Sequence, residues 1–191
     1  MLLTVKQRQT RLKALGLYDG KIDGKEANKT KAAYAKLQNK YFTRARDKDD
    51  VYGNDTDILL RNAYTVKLYC KDFKLEEFKC ECGGRYCTGY PVRLNPQLLK
   101  NLQSIRNKYG ATTITSGMRC KPYNNSLVGS ISTSRHMKGK AIDFVNDDTQ
   151  TTESRRKVMS YIKKLPKHNY TYCNEYGNIP NMGNAIHFDV K

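Results

Sequence analysis

Two short stretches constrain this chain more than any others. In residues 140–145, Ile142 and Phe144 alternate with Ala141, Asp143 and Val145. In residues 186–189, Ile186 and Phe188 alternate with His187 and Asp189. Successive side chains of a strand point to opposite faces. Each stretch therefore sends an apolar face into a core and an ionisable face towards a cleft. Gly139 lets the chain turn between His136 and the first of these strands. His136, Asp143 and His187 are then expected to converge from a loop and two neighbouring strands. Imidazole and carboxylate suit a zinc site, which in a catalytic centre takes three protein ligands and keeps a position for water. The third histidine, His168, follows a helix and reads as structural.

The pattern around these strands is mixed. Asn95-Pro96 is a helix start, with Asn as cap and Pro in the first turn. Leu98, Leu99, Leu102 and Ile105 give an apolar stripe that Gly110 ends. Residues 112–115 and 170–174 read as further strands, and Val158, Tyr161, Ile162 and Leu165 fall at helical spacing. Interspersed strands and helices predict an α+β domain with an antiparallel sheet and flanking helices over residues 72–191. Residues 1–68 predict a small three-helix domain with no strands. Its helices run from Val5 to Gly16, Thr30 to Leu37 and Thr56 to about Tyr64, with Asp19-Gly20 and Asp23-Gly24 as turns. Residues 66–79 read as a linker. The 38% hydrophobic content suffices for two small cores.

The net charge of +17 points to a polyanionic partner. The excess is spread, with 15 Lys+Arg against 8 Asp+Glu in residues 1–70 and 20 against 10 beyond. A nucleic-acid reader more often gathers its charge on one face. Anionic cell-wall polymers are therefore the expected attraction, and no specific nucleic-acid contact is expected. No segment is long or apolar enough to span a membrane. The start Met1-Leu2-Leu3-Thr4-Val5-Lys6 lacks the apolar run of a signal peptide. Synthesis in the cytoplasm is expected. Six cysteines are present, three of them as Cys80-x-Cys82-x4-Cys87. That cluster is either a small structural metal site or a set of reduced thiols, and its spacing departs from paired C-x2-C units.

Residues 1–68 resemble the peptidoglycan-binding repeat of bacterial and phage wall hydrolases. The matching residues are Val5, Gln7, Leu12, Leu15-Gly16, Tyr18, Gly20, Ile22-Asp23-Gly24, Thr30, Ala33 and Leu37-Gln38, whereas Lys25-Glu26-Ala27 replaces a further Gly of that repeat. Ser134-x-His136-x-x-Gly139-x-Ala141-x-Asp143, Ser116-Gly117-Met118-Arg119-Cys120, Asn124-Asn125 and the late His187 resemble the zinc D-Ala-D-Ala carboxypeptidase and L-Ala-D-Glu endopeptidase family. Phage endolysins use this fold, and it is similar to the hedgehog signalling domain. The resemblance implies zinc held by His136, Asp143 and His187, with Arg119 on a substrate carboxylate or carbonyl. Ser134 would support the site and contact substrate.

Many members of that family carry an acid three residues before the last histidine, where this chain has Asn184. The proton-transfer role then falls to Glu175 or to Asp189, with Glu175 favoured for reach and solvent access. The implied protein is a monomeric cell-wall hydrolase. It would cut stem peptides or cross-links of bacterial peptidoglycan once host lysis releases it. The alternative is a non-catalytic wall-binding protein with a structural zinc.

Overall fold

Thr4 starts the first helix by a reciprocal cap, since its hydroxyl accepts the Gln7 amide while the Gln7 side chain accepts the Thr4 amide. The structure, a computed structural model, describes residues 1–175, 179 and 182–191. Three helices come first: α1 (Val5–Ala14), α2 (Asn28–Tyr41) and α3 (Asn54–Tyr69). The two connections between them are built from the same parts. Gln9 is fully buried and accepts the Gly24 amide at 2.8 Å. Its Nε2 lies 2.9 Å from Asp23 Oδ1, 3.0 Å from the Lys25 carbonyl and 3.2 Å from Thr30 Oγ1. Gln38 repeats the clamp, accepting the Asp50 amide at 2.8 Å and facing Asp49, the Val51 carbonyl and Thr56. Asp23 and Asp49 each accept the amide two residues on, as Asx turns do. A buried carboxamide with its donors and acceptors satisfied holds each loop in one conformation. The Asp23-Gly24 turn was expected. Its twin at Asp49-Asp50 lay hidden because Asp50, at φ 59, stands where the first copy has Gly24 at φ 79.

The expected linker is instead part of the fold. Helix α3 runs five residues beyond Tyr64, to Tyr69, and Val66, Cys70, Phe73, Leu75 and Phe78 are all buried. A single-turn 3₁₀ helix, Leu75–Phe78, continues from there. One continuous cluster, in place of two cores, joins Leu12, Tyr34 and Leu59 to Leu98, Ile142 and Phe188. The reason is that α3 packs on α1 and α2 and also on α4 (Pro96–Tyr109). Polar groups of α3 also tie the segment before α4. The Asn62 carboxamide donates to the Val92 carbonyl and accepts the Leu94 amide, both at 2.8 Å. Asp57, 1% exposed, accepts from the Leu3 amide, the Tyr52 hydroxyl, Arg61 and Arg93.

Beyond α4 come β1 (Thr112–Ser116), α5 (Lys121–Ser126), β2 (Ala141–Asn146), α6 (Thr152–Ile162), β3 (His168–Cys173) and β4 (Ile186–Val190). Asn95 caps α4 with Pro96 at its first position, as expected, and Gly110 ends it. The strands form an antiparallel sheet in the order β1-β2-β4-β3. Ile142, Phe144, Ile186 and Phe188 are fully buried, and the Phe144 and Phe188 rings meet edge to face at 6.0 Å. No helix among the described residues is long and apolar enough to cross a membrane.

Burial alone would raise the Asp57 carboxyl, but Arg61 and the bonds from Leu3 and Tyr52 outweigh it and hold it below its ordinary value. The stability it contributes is therefore present above the unfolded-state pKa of about 3.9 and is lost as pH falls through the lower folded value. Asp57→Asn is expected to lower unfolding free energy by about 3 kcal/mol in urea at neutral pH. It should also flatten the loss of stability below about pH 4. A variant as stable as the wild type would show that this seam is dispensable.

Candidate metal centre

The sheet register sets four side chains in a row. Ser116 of β1 pairs with Asp143 of β2, Asp143 with His187 of β4, and His187 with Tyr172 of β3. A bulge in β1 makes the first of these pairings. Ile114 faces Phe144, yet Ser116 rather than Thr115 faces Asp143. An extra residue on one strand re-aims the side chains that follow it. Beyond the bulge the chain passes close to the 3₁₀ helix Leu75–Phe78. The Met118 amide donates to the Phe78 carbonyl at 2.9 Å, and a Cβ on Gly117 would lie 2.5 Å from that oxygen. Only glycine fits at 117, and this close approach aims the Gly117 carbonyl and Arg119 at the row.

His136 reaches the row from a short 3₁₀ turn, Arg135–Lys138. Gly139 closes the turn at φ 63, where a Cβ would lie 2.1 Å from the Arg93 carbonyl oxygen. The close contact adds a second reason for glycine to the expected turn. His136 Nδ1 lies 2.7 Å from the Gly117 carbonyl. A carbonyl only accepts, so Nδ1 carries the proton and the Nε2 lone pair faces inward. Nε2 is 3.3 Å from His187 Nδ1 and 3.4 Å from Asp143 Oδ1. His187 Nδ1 is 2.7 Å from the same Asp143 oxygen. One donor atom from each of His136, Asp143 and His187 thus falls within 4.8 Å of the other two. These are the three ligands expected from the sequence.

The other Asp143 oxygen accepts from Arg119 Nη2 at 2.9 Å, and Ser116 Oγ holds the same guanidinium through Nε and Nη2. Burial pushes the Asp143 carboxyl up, but His136 and then His187 beside it outweigh this and hold it far below the usual carboxylate range. Burial pulls His187 down, and its bonds to Asp143 and Asp189 raise it above the ordinary value. Asp189 lies behind this centre. Its Oδ2 is 3.4 Å from His187 Nε2, its Oδ1 accepts from Asn169 at 2.7 Å, and Arg135 approaches at 3.4 Å. A carboxylate on the outer nitrogen fixes the tautomer and orientation of a ligating histidine. Asp189 stands in that position and is not among the residues that line the cleft.

Two expected site residues are not brought to the centre. Glu175 forms an ion pair with Arg156 of α6 at 3.1 Å. The reason is that β3 ends at Cys173 and the chain turns there, the Glu175 amide donating to the Cys173 carbonyl at 3.0 Å. Ser134 is buried just before the turn that carries His136, where its backbone bonds to Ile131 and Met137. It does not line the cleft. Asn184 accepts from Arg155 and donates to Gln150. His168 opens β3 opposite Val190, away from the row.

The row opens into a cleft of about 510 Å³. Arg119, Ser116, Asp143 and Tyr172 line it, and Leu127, Val128 and Met182 supply apolar surface. Tyr172, which the sequence reading passed over, stacks on His187 with ring centroids 4.6 Å apart and planes at 27°. The alternation through residues 171–173 was its only signal. Glu81 also lines the cleft and accepts from the Tyr123 hydroxyl at 3.0 Å. It sits inside the cysteine motif, which drew attention away from it.

The donor set suits zinc. Two imidazole nitrogens and one carboxylate oxygen face a common point, each histidine has its outer nitrogen bonded, and one side opens to the cleft. A family model described as Peptidase M15 matches residues 71–189, and the chain belongs to that family. Its members are zinc-dependent, so the chain is a zinc metallopeptidase with His136, Asp143 and His187 as its candidate metal-binding group. No curated protein matches the chain.

Asp189→Asn is expected to weaken zinc binding roughly 10–100-fold in competition with a chromophoric chelator, with the fold retained by circular dichroism. An unchanged affinity would remove Asp189 from the account.

Proposed function

We propose that the protein is an endolysin-like cell-wall hydrolase that cleaves peptide bonds in peptidoglycan stem peptides or cross-links. The observation that carries this reading is a three-donor metal group at the wall of a peptide-sized cleft, with Arg119 beside it. Structural zinc sites are closed by four protein ligands, and this group has three and an open side. That favours catalysis over the alternative of a wall-binding protein with a structural zinc.

Zinc held by His136, Asp143 and His187 would supply Lewis acidity and a water that ionises near neutral pH. The residues of the chain do the rest. Gly117 and Asp189 fix the two histidines in the tautomers that offer Nε2 and Nδ1 to the metal. Arg119 occupies one Asp143 oxygen and leaves the other to the centre. The same guanidinium borders the cleft, where it would hold a carboxylate or a polarised carbonyl of a stem peptide. Tyr172 shields one face of His187 from water. Glu81 is the carboxylate besides Asp143 among the described lining residues. It therefore replaces Glu175 as the group proposed to take a proton from the attacking water and pass it to the leaving amine.

In this reading residues 1–68 form the wall-binding unit and residues 72–191 the peptidase. Tethering raises the local concentration of the cutting unit at an insoluble substrate. The charge of +17 favours adsorption to anionic wall polymers and should weaken with salt. The protein would act as a monomer at the wall after host lysis. Neither a specific nucleic acid nor a membrane enters the scheme.

Digestion of purified sacculi, followed by mass spectrometry of new termini, tests the proposal and identifies the bond. Release of peptide fragments should stop on zinc chelation, return with zinc and be absent in His136→Ala. Glu81→Gln should lower kcat about 10²–10⁴-fold with little change in KM, while Glu175→Gln stays near wild type. Wall digestion that survives His136→Ala would overturn the reading. A loss confined to Glu175→Gln would return the proton-transfer role to that residue.

A further inference from the structure

The sequence shows three cysteines close together, and the fold adds a fourth. Cys80, Cys82, Cys87 and Cys120 bring their sulfurs within 4.8 Å of one another. We propose that these four thiolates bind a second, structural zinc ion that fastens the 80–89 loop to the segment carrying Arg119.

Four observations carry this. First, the group is complete, since four sulfur donors with none left over satisfy a tetrahedral structural site. The spacing Cys80-x-Cys82-x4-Cys87 lacked a partner only because Cys120 is 33 positions away in sequence. Second, a backbone amide points at one of the sulfurs. The Cys120 amide donates to Cys80 Sγ at 3.4 Å. Such a donor stabilises a thiolate ligand and orients it. Third, the loop is shaped to wrap a centre. Gly83, Gly84 and Gly89 all take positive φ, and the Cys80 amide donates to the Gly89 carbonyl at 2.8 Å, closing the loop on itself. Fourth, the thiols are free. Cys82 and Cys87 have their sulfurs 3.5 Å apart, which is no disulfide bond, and all four cysteines are free.

The position gives the site a purpose. Residues 78–80 run beside residues 117–120 through the Met118–Phe78 and Cys120–Cys80 contacts. Cys120 directly follows Arg119, and Glu81 lies between two of the cysteines. The loop also docks on the segment after α2, where the Thr43 amide donates to the Thr88 carbonyl at 3.3 Å. One metal ion would thus hold together the N-terminal helices, the rim of the cleft and the arginine beside Asp143. Binding zinc takes four protons from the thiols and leaves a centre of net charge −2. The Cys120 amide on Cys80 offsets part of that charge.

Metal content and cobalt spectra test this separately from peptidase activity. Protein purified with zinc chloride should hold two zinc ions per chain by elemental analysis, one for each donor group. Cys82→Ser and Cys87→Ser should each hold one, and so should His187→Ala. Cobalt-loaded His187→Ala should keep strong sulfur-to-metal charge-transfer absorption, and Cys82→Ser should lose it. Cys87→His, which retains a usable ligand, should keep two zinc ions if the serine variants fail to fold. A wild-type stoichiometry of one that falls to zero in His187→Ala would overturn the second site. So would a mass two hydrogens short, showing a disulfide, in protein prepared without reductant.

Discussion

Asp143 is the point on which the site depends. Its carboxylate is largely buried at the wall of the cleft, and such a charge is tolerated only when its lone pairs are occupied by charged or hydrogen-bonded partners. Here one oxygen faces both histidines and the other takes Arg119. The three partners arrive from different parts of the chain, so the requirement of a single carboxylate fixes how β2, β4, the His136 turn and the segment after β1 sit together. The same group is electrostatically prepared for a cation, because its charged form is favoured and its partners are already in place.

Close backbone approaches hold those elements in position. At Gly117 and Gly139 a Cβ would collide with a carbonyl of the Phe78 or Arg93 segment. Both segments also belong to the seam between the N-terminal helices and the sheet, through Phe78 in the common core and Arg93 on Asp57. The polar clamps of Gln9 and Gln38 and the seam at Asp57 and Asn62 are therefore linked to the site by contiguous packing. The N-terminal helices and the sheet share one core, and residues 66–79 form part of their junction.

How much of this was legible follows from the range of each signal. Alternation over four to six residues revealed β2 and β4 and the faces of Asp143 and His187, because one-sided burial leaves a period of two. Asn95, Pro96 and Gly110 marked α4 because caps are local chemistry. The sequence matched family patterns that implied His136 and Arg119, and the fold brings both to Asp143. Glu175 was favoured for reach on the strand before the last, but β3 ends at Cys173 and the turn that follows hands Glu175 to Arg156. Cys120 and Glu81 were missed because their relevance depends on contacts between segments far apart in sequence. The bulge at the end of β1 left no trace in a β-branched run.

The central claim is that one metal ion sits among three named atoms with a free side towards the cleft. Crystals grown with zinc, with diffraction recorded at the zinc absorption edge, examine it directly. The account predicts an anomalous peak bound by His136 Nε2, Asp143 Oδ1 and His187 Nδ1, with Arg119 still on Asp143 Oδ2 and the remaining position open. A peak bound through His187 Nε2, or no peak at these residues in zinc-loaded protein, would contradict it.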